Sequence, residues 1–167
     1  MFGPPFGHRE AVHVISSGNS HDGSEPYKPA VGIPAFEANL AWHRRSAAVA
    51  RNHLRDFLQN IPGGAAFMGD GQLVLGELVA NAVVHARVSP GREIAVRFEV
   101  VCDHLRIEVH DASSEKPAIR RATDPDDLSG RGMHLVEVLS LEWGFEPRPE
   151  GIGKIVWALV GPEGGVE

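Results

Sequence analysis

The stretch Gln72–Arg87, QLVLGELVANAVVHAR, constrains the fold more than any other part of the chain. After Gly76 it contains neither Gly nor Pro. Leu73, Leu75, Leu78, Val79, Ala82, Val83 and Ala86 set apolar side chains on nearly every side of a helical turn. This predicts a helix packed against other elements over most of its circumference. Within the apolar cylinder sit Glu77, Asn81 and His85, each four residues from the last. At about 100° per residue they form one polar stripe that drifts by roughly 40° per step. A buried carboxylate or carboxamide without a partner costs several kcal/mol. The stripe therefore either finds partners inside the fold or lines a pocket for a ligand.

The surroundings of this helix follow from simple periodicities. Asp70 is placed to cap its N-terminus, and Arg87 suits its negative C-terminal end. Downstream, Glu93–Val101 and His104–Asp111 alternate with period two. Ile94, Val96, Phe98 and Val100 share one face of the first strand, and Leu105, Ile107 and Val109 share one face of the second. Arg97, Glu99, Arg106, Glu108 and His110 oppose them, which predicts an antiparallel hairpin with one wet face, turning at Cys102-Asp103. Asp111 has the parity of Leu105, Ile107 and Val109, so its carboxylate is expected on the covered side of the sheet, where the polar helix must lie.

Upstream, residues 1–30 are rich in Gly, Pro, Ser and His with little periodicity, and read as a disordered arm whose histidines match no metal-ligand spacing. A short strand is expected at Val31–Phe36. A helix is expected from about Asn39 to Ile61, apolar at Leu40, Ala47, Ala50, Leu54, Phe57 and Leu58, with Arg44, Arg51 and Arg55 along a solvated face. After the hairpin, Ala112–Ser129 is a long polar connection of the kind that is usually functional. It leads into Gly130-Arg131-Gly132-Met133 at the start of another helix, where backbone N–H groups and the helix dipole favour an anion. Strands at Trp143–Glu146 and Lys154–Val160 close the chain. The second is apolar on both faces and belongs inside the sheet.

Composition limits the function classes. The 167 residues, 43% of them hydrophobic, suit a single domain over 31–162 with a short tail at 163–167. A net charge of −6, with no Lys/Arg run longer than two residues, argues against direct nucleic-acid binding. No apolar run is long enough to span a membrane, and the first residues lack a signal-peptide core. The lone Cys102 fits a reducing cytoplasm, as a small hydrophobe in a turn rather than a nucleophile.

In chain order these features amount to a Glu-x-x-x-Asn helix, a strand ending in an inward Asp, a long loop and a glycine-flanked helix start. Asn81 offers a neutral oxygen ligand to Mg²⁺, Glu77 can take a proton from an attacking hydroxyl, Asp111 can accept from an exocyclic amine, and Gly130–Met133 can donate to phosphates. ELVANAVVHA (77–86), HDASSEKP (110–117), GRGMHLVEVLSLEWG (130–144) and GKIVWALV (153–160) together resemble the Bergerat-fold (GHKL) ATP-binding superfamily. Within it they look most like the small anti-sigma-factor serine/threonine kinases of the actinobacterial type. The likeness covers about residues 31–160. It implies an α/β (α+β) two-layer sandwich, a mixed, mostly antiparallel sheet with helices packed on one face.

The resemblance further implies ATP and Mg²⁺ as cofactors, with Asn81 as the metal ligand and Glu77 as the catalytic carboxylate. Asp111 would recognise adenine, Gly130, Arg131, Gly132 and Met133 would form the phosphate-side loop, and Ala112–Ser129 would be the ATP lid. His85 would support the pocket from the same helix face. Two features depart from the family pattern on the adenine side. The Asp-x-Gly-x-Gly pattern is Asp111-Ala112-Ser113-Ser114-Glu115, with Ser113 and Glu115 in place of the glycines, and Ile155 stands where a Thr hydroxyl helps hold adenine through water. The activity implied is transfer of the ATP γ-phosphoryl to a Ser of a STAS-like anti-sigma antagonist, with a sigma factor as second partner; a homodimer is compatible with the family and with the amphipathic first helix. The alternative is a non-catalytic anti-sigma or adaptor module with a weakened nucleotide site. A two-component histidine kinase would need a phospho-accepting helical hairpin, which the first 30 residues cannot build.

Overall fold

The structure, a computed structural model, describes residues 13–15, 33–85, 93–113, 117, 131–148 and 153–163. Its elements are β1 (His13–Ile15), β2 (Ala35–Ala41), α1 (Ser46–Gln59), a short 3₁₀ turn (Gly64–Phe67), α2 (Met68–His85), β3 (Glu93–Val101), β4 (His104–Asp111), α3 (Arg131–Leu139), β5 (Glu142–Pro147) and β6 (Lys154–Val160). The strands form one sheet in the order β1-β5-β6-β4-β3-β2, and every described pairing is antiparallel. β4 and β5 run in the same direction with β6 inserted between them, so α3 lies in a split β-α-β crossover.

One parity of each central strand enters the core: Ile94, Val96 and Phe98; Leu105, Ile107 and Val109; Trp143 and Phe145; Val156, Ala158 and Val160. The same cluster holds Ala50, Leu54 and Leu58 of α1, Val74, Leu75, Leu78, Val79 and Ala82 of α2, and Met133 and Val136 of α3. All three helices therefore pack on one face of the sheet, the two-layer α+β sandwich expected from the sequence. β6 lies inside the sheet, as its two apolar faces predict.

α2 begins at Met68, earlier than its apolar run indicated, and buries one broad face rather than its whole circumference. Leu73 and Val84 are 51% and 54% exposed, because the sheet, α1 and α3 cover three sides and leave the fourth to solvent. Gly71 lets the helix settle on β4: a Cβ there would lie 2.8 Å from Leu105 Cδ2. Arg51 of the basic α1 face lies over Gly76, so that stripe is not wholly solvated.

The expected Asp70 cap is corrected. Asp70 lies within the first turn of α2, and the free donors are satisfied from the far end of the chain. Glu163 Oε1 accepts from the backbone N–H of Gly69 and, at 3.0 Å, from that of Asp70. Glu163→Ala should therefore cost about 1 kcal/mol, as loss of a helix cap does, and lower Tm by roughly 2–4 °C in a thermal melt.

Two further expectations change. The strand expected at Val31–Phe36 lies at Ala35–Ala41, and α1 starts only at Ser46. Phe36, Ala38 and Leu40 pair with Phe98, Val96 and Ile94 on β3, a partnership that local periodicity cannot reveal, since Leu40 also fits the helical spacing. The hairpin turns at Cys102-Asp103 as predicted, with φ of 48° and 63° matching a type I′ turn, and Cys102 is exposed. The face predicted to be wet, however, is dry. Arg97, Glu99, Arg106, Glu108 and His110 are each no more than 7% exposed. Opposite charges two residues apart on one strand face point the same way and pair, Arg97–Glu99 at 2.7 Å and Arg106–Glu108 at 3.0 Å, and His110 Nε2 lies 3.1 Å from Glu108 Oε2. Arg106 also lies 4.7 Å from the Trp157 ring centroid. Paired charges tolerate burial that single ones do not.

Of the arm at 1–30, only His13–Ile15 is described, as a strand on β5. Most of the lid expected at 112–129 and the end of the tail lie outside the described residues. No described helix is long and apolar enough to cross a membrane.

Candidate functional site

The phosphate end of the expected pocket is built from α2 and α3. Burial of Val74, Leu75, Leu78, Val79 and Ala82 fixes the rotation of α2, so Glu77 and Asn81 lie one turn apart on its remaining face, both half-buried. α3 is pinned by Met133 and Val136, which are 3% and 0% exposed. That places Gly132, in the first turn of α3, directly against Glu77. A Cβ on Gly132 would collide with Glu77 Oε2 and lie 3.4 Å from its Cδ. A side chain at this position would have to displace the Glu77 carboxylate from the start of α3. Met133 itself serves the core. Gly130 and the side chains of His85 and Arg131 lie outside the described residues.

The base end is built from the ends of β4 and β6. Asp111 points to the covered side, as its parity predicts, and is 1% exposed. Its Oδ1 accepts from the backbone N–H of Ser113 at 2.7 Å and from Lys154 Nζ at 3.0 Å. Lys154 Nζ also lies 2.9 Å from Oδ2 and donates to the Ser113 carbonyl at 3.3 Å. Ser113 and Lys154 are both 3% exposed. The two strand ends approach closely because Gly153 has φ +91° and stands against the Asp111 carbonyl, where any Cβ would intrude.

Strand register corrects the place of Ile155. Asp111 pairs with Lys154, and Ile155 pairs with His110 on the opposite face of the sheet. The side chain beside Asp111 is therefore lysine, and Ile155 lies on the other face of the sheet. Sequence reasoning missed Lys154 because parity on β6 is uninformative when both faces are apolar. The Asp111↔Lys154 pairing is visible only in the sheet.

α2 packs over β4 and β6, so both ends of the site lie on the helix-covered face of the sheet. The family model of the histidine kinase-like ATPase domain matches residues 41–158, which include Glu77, Asn81, Asp111, Gly132 and Lys154. The chain belongs to this family. A solved structure of the RsbU and RsbW domains of Rv1364c from Mycobacterium tuberculosis is similar to this ATPase domain at 21% identity, with a TM-score of 0.58. The match covers 77% of this chain and 32% of that one, and shows a shared fold. None of the curated proteins matches the chain.

Membership of the family makes ATP the ligand against which the residues are tested. At the phosphate end they fit. Gly132 in the first turn of α3 lies against the Glu77 carboxylate, and Glu77 and Asn81 present a carboxylate and a carboxamide on the adjacent face of α2. At the base end the fit differs, because Asp111 already holds an ammonium.

Proposed function

We propose that this ATPase domain is an ATP- and Mg²⁺-binding regulatory serine/threonine kinase of the anti-sigma-factor type. It would act in the cytoplasm on a Ser of a STAS-like antagonist and also bind a sigma factor. The observation that carries the proposal is the Glu77 carboxylate lying against Gly132 at the start of α3, one helical turn from Asn81. The matched family and the likeness to a structure that contains an RsbW domain support it.

In this arrangement Asn81 supplies a neutral oxygen to Mg²⁺, and the N-terminal turn of α3 presents backbone donors to phosphate oxygens. ATP supplies the phosphoryl group when bound. Glu77 orients the acceptor hydroxyl and takes its proton, work that depends on position more than on covalent chemistry by the protein. The rigid seat of α2 in the core keeps Glu77 and Asn81 in register with each other.

A second reading is a non-catalytic anti-sigma or adaptor module with a weakened nucleotide site, and the Lys154–Asp111 ion pair favours it. Thermal unfolding separates the two. At ATP·Mg²⁺ of about 100 times Kd, stabilisation should reach about 2.7 kcal/mol, or roughly 5–10 °C in Tm for a chain of this size. Asn81→Ala should lose the Mg²⁺-dependent part of that shift. An unchanged Tm at millimolar ATP with Mg²⁺ rules out the kinase.

A further inference from the structure

The Lys154–Asp111 pair bears on which nucleotide the site accepts. A base-reading carboxylate works by offering an oxygen to an exocyclic amine. Here both carboxylate oxygens lie within 3.0 Å of Lys154 Nζ, and Oδ1 also accepts from Ser113 N–H. The ammonium in turn reaches the Ser113 carbonyl, so cation, carboxylate and loop backbone are tied together. The pair is buried, with Asp111 at 1% and Lys154 at 3% exposure, where solvent screening is weak. A neutral amine donor gives a modest net hydrogen bond, whereas leaving a buried ammonium without its carboxylate carries a large desolvation penalty. The amine of adenine is therefore the weaker competitor for Asp111.

The backbone holds this arrangement in place. Asp111 and Lys154 are direct partners in the β4–β6 register, and Gly153, at φ +91°, brings the start of β6 against the Asp111 carbonyl. Lys154 cannot swing to the other face of the sheet without a shift of register, which would turn Val156, Ala158 and Val160 out of the core.

We infer that Lys154 takes the place of a nucleobase amine on Asp111, so that the site binds purine nucleoside triphosphates through their phosphate end and does not discriminate adenine from guanine. This rests on the nucleotide-binding proposal above. Asp111 neutralised by an ammonium neither attracts the 6-amino group of adenine nor repels the 6-oxo group of guanine. Lys154 is thus the residue that sets base specificity, by cancelling the group that would otherwise read the base.

The test is calorimetric titration of the full chain with ATP and with GTP, each with Mg²⁺, for wild type, Lys154→Thr and Lys154→Met. Wild type should bind the two nucleotides with Kd values within about threefold. Either substitution frees Asp111 to accept the amine, so ATP should tighten at least about tenfold while GTP does not. The two variants remove the charge with different side-chain lengths, so a fault in packing one of them does not decide the result. The wild-type ratio is measured without any substitution. A wild-type preference for ATP above threefold overturns the inference. So does an unchanged ATP:GTP ratio in variants that bind nucleotide, and in that case the nucleotide-binding proposal stands. Absence of binding of either nucleotide by folded wild type and variants overturns both.

Discussion

Glu77→Ala will leave nucleotide affinity within about threefold of wild type and lower phosphoryl transfer by about 10²–10⁴-fold, the usual contribution of a positioned general base. The separation of effects follows from the geometry. Glu77 sits on the half-buried face of a helix whose rotation is locked by Val74, Leu78 and Ala82, and its carboxylate lies against the first turn of α3. In the proposed mechanism Glu77 orients and deprotonates the acceptor, while the Mg²⁺ contact would fall to Asn81 one turn further on. Glu77→Gln keeps the shape and removes the basicity, so it should lose transfer to a similar extent. Radiolabelled transfer to an acceptor captured from the native cytosol, with calorimetry for affinity, reads the two effects separately. Transfer at the wild-type rate in Glu77→Ala would remove Glu77 from the catalytic role.

Gly153→Ala will destabilise the fold by about 3 kcal/mol. An Ala at φ +91° is strained, and its Cβ would meet backbone rather than a side chain that could move aside: Ala112 Cα at 2.8 Å and the Asp111 carbonyl carbon at 2.9 Å. For a chain of this length that corresponds to a fall in Tm of roughly 6–12 °C. The substitution acts where β6 enters the sheet beside Asp111, so it should also disturb the Lys154–Asp111 pair. Circular dichroism melts of Gly153→Ala and wild type check it; a change in Tm below about 2 °C would show that the β4–β6 junction relaxes freely.

The two glycines at these positions were not equally legible. Gly132 lies in the first turn of a helix in a pattern that favours an anion, and the structure adds that Glu77 is the group pressed against it. Gly153 carries no comparable local signal. Its positive φ and its contact with Asp111 arise only when β6 pairs with β4. Ser113 and Ile155 show the same contrast. Each was marked as a departure from the family pattern at the base end, yet register leaves Ser113 bonded to Asp111 and carries Ile155 to the opposite face.

What the sequence alone determined is local. The apolar stripes of α1 and α2, the alternation of β3 and β4, the two-residue turn at Cys102-Asp103 and the inward parity of Asp111 all follow from helix and strand periods and turn chemistry within a few residues of chain. Together with the quoted family strings, they suffice for the two-layer fold and for Glu77 and Asn81 on one helix. Tertiary structure decided what depends on residues far apart. Glu163 caps α2 from 93 positions away, Lys154 reaches Asp111 across 43, and Phe36 becomes part of a strand because Phe98 is there to pair with it. The buried charges behind β3 and β4 belong to the same class: alternation marks them as a polar face, and only the assembled fold shows that face closed to water. Such contacts are set by strand register and by which segments close against each other, and no local propensity encodes either.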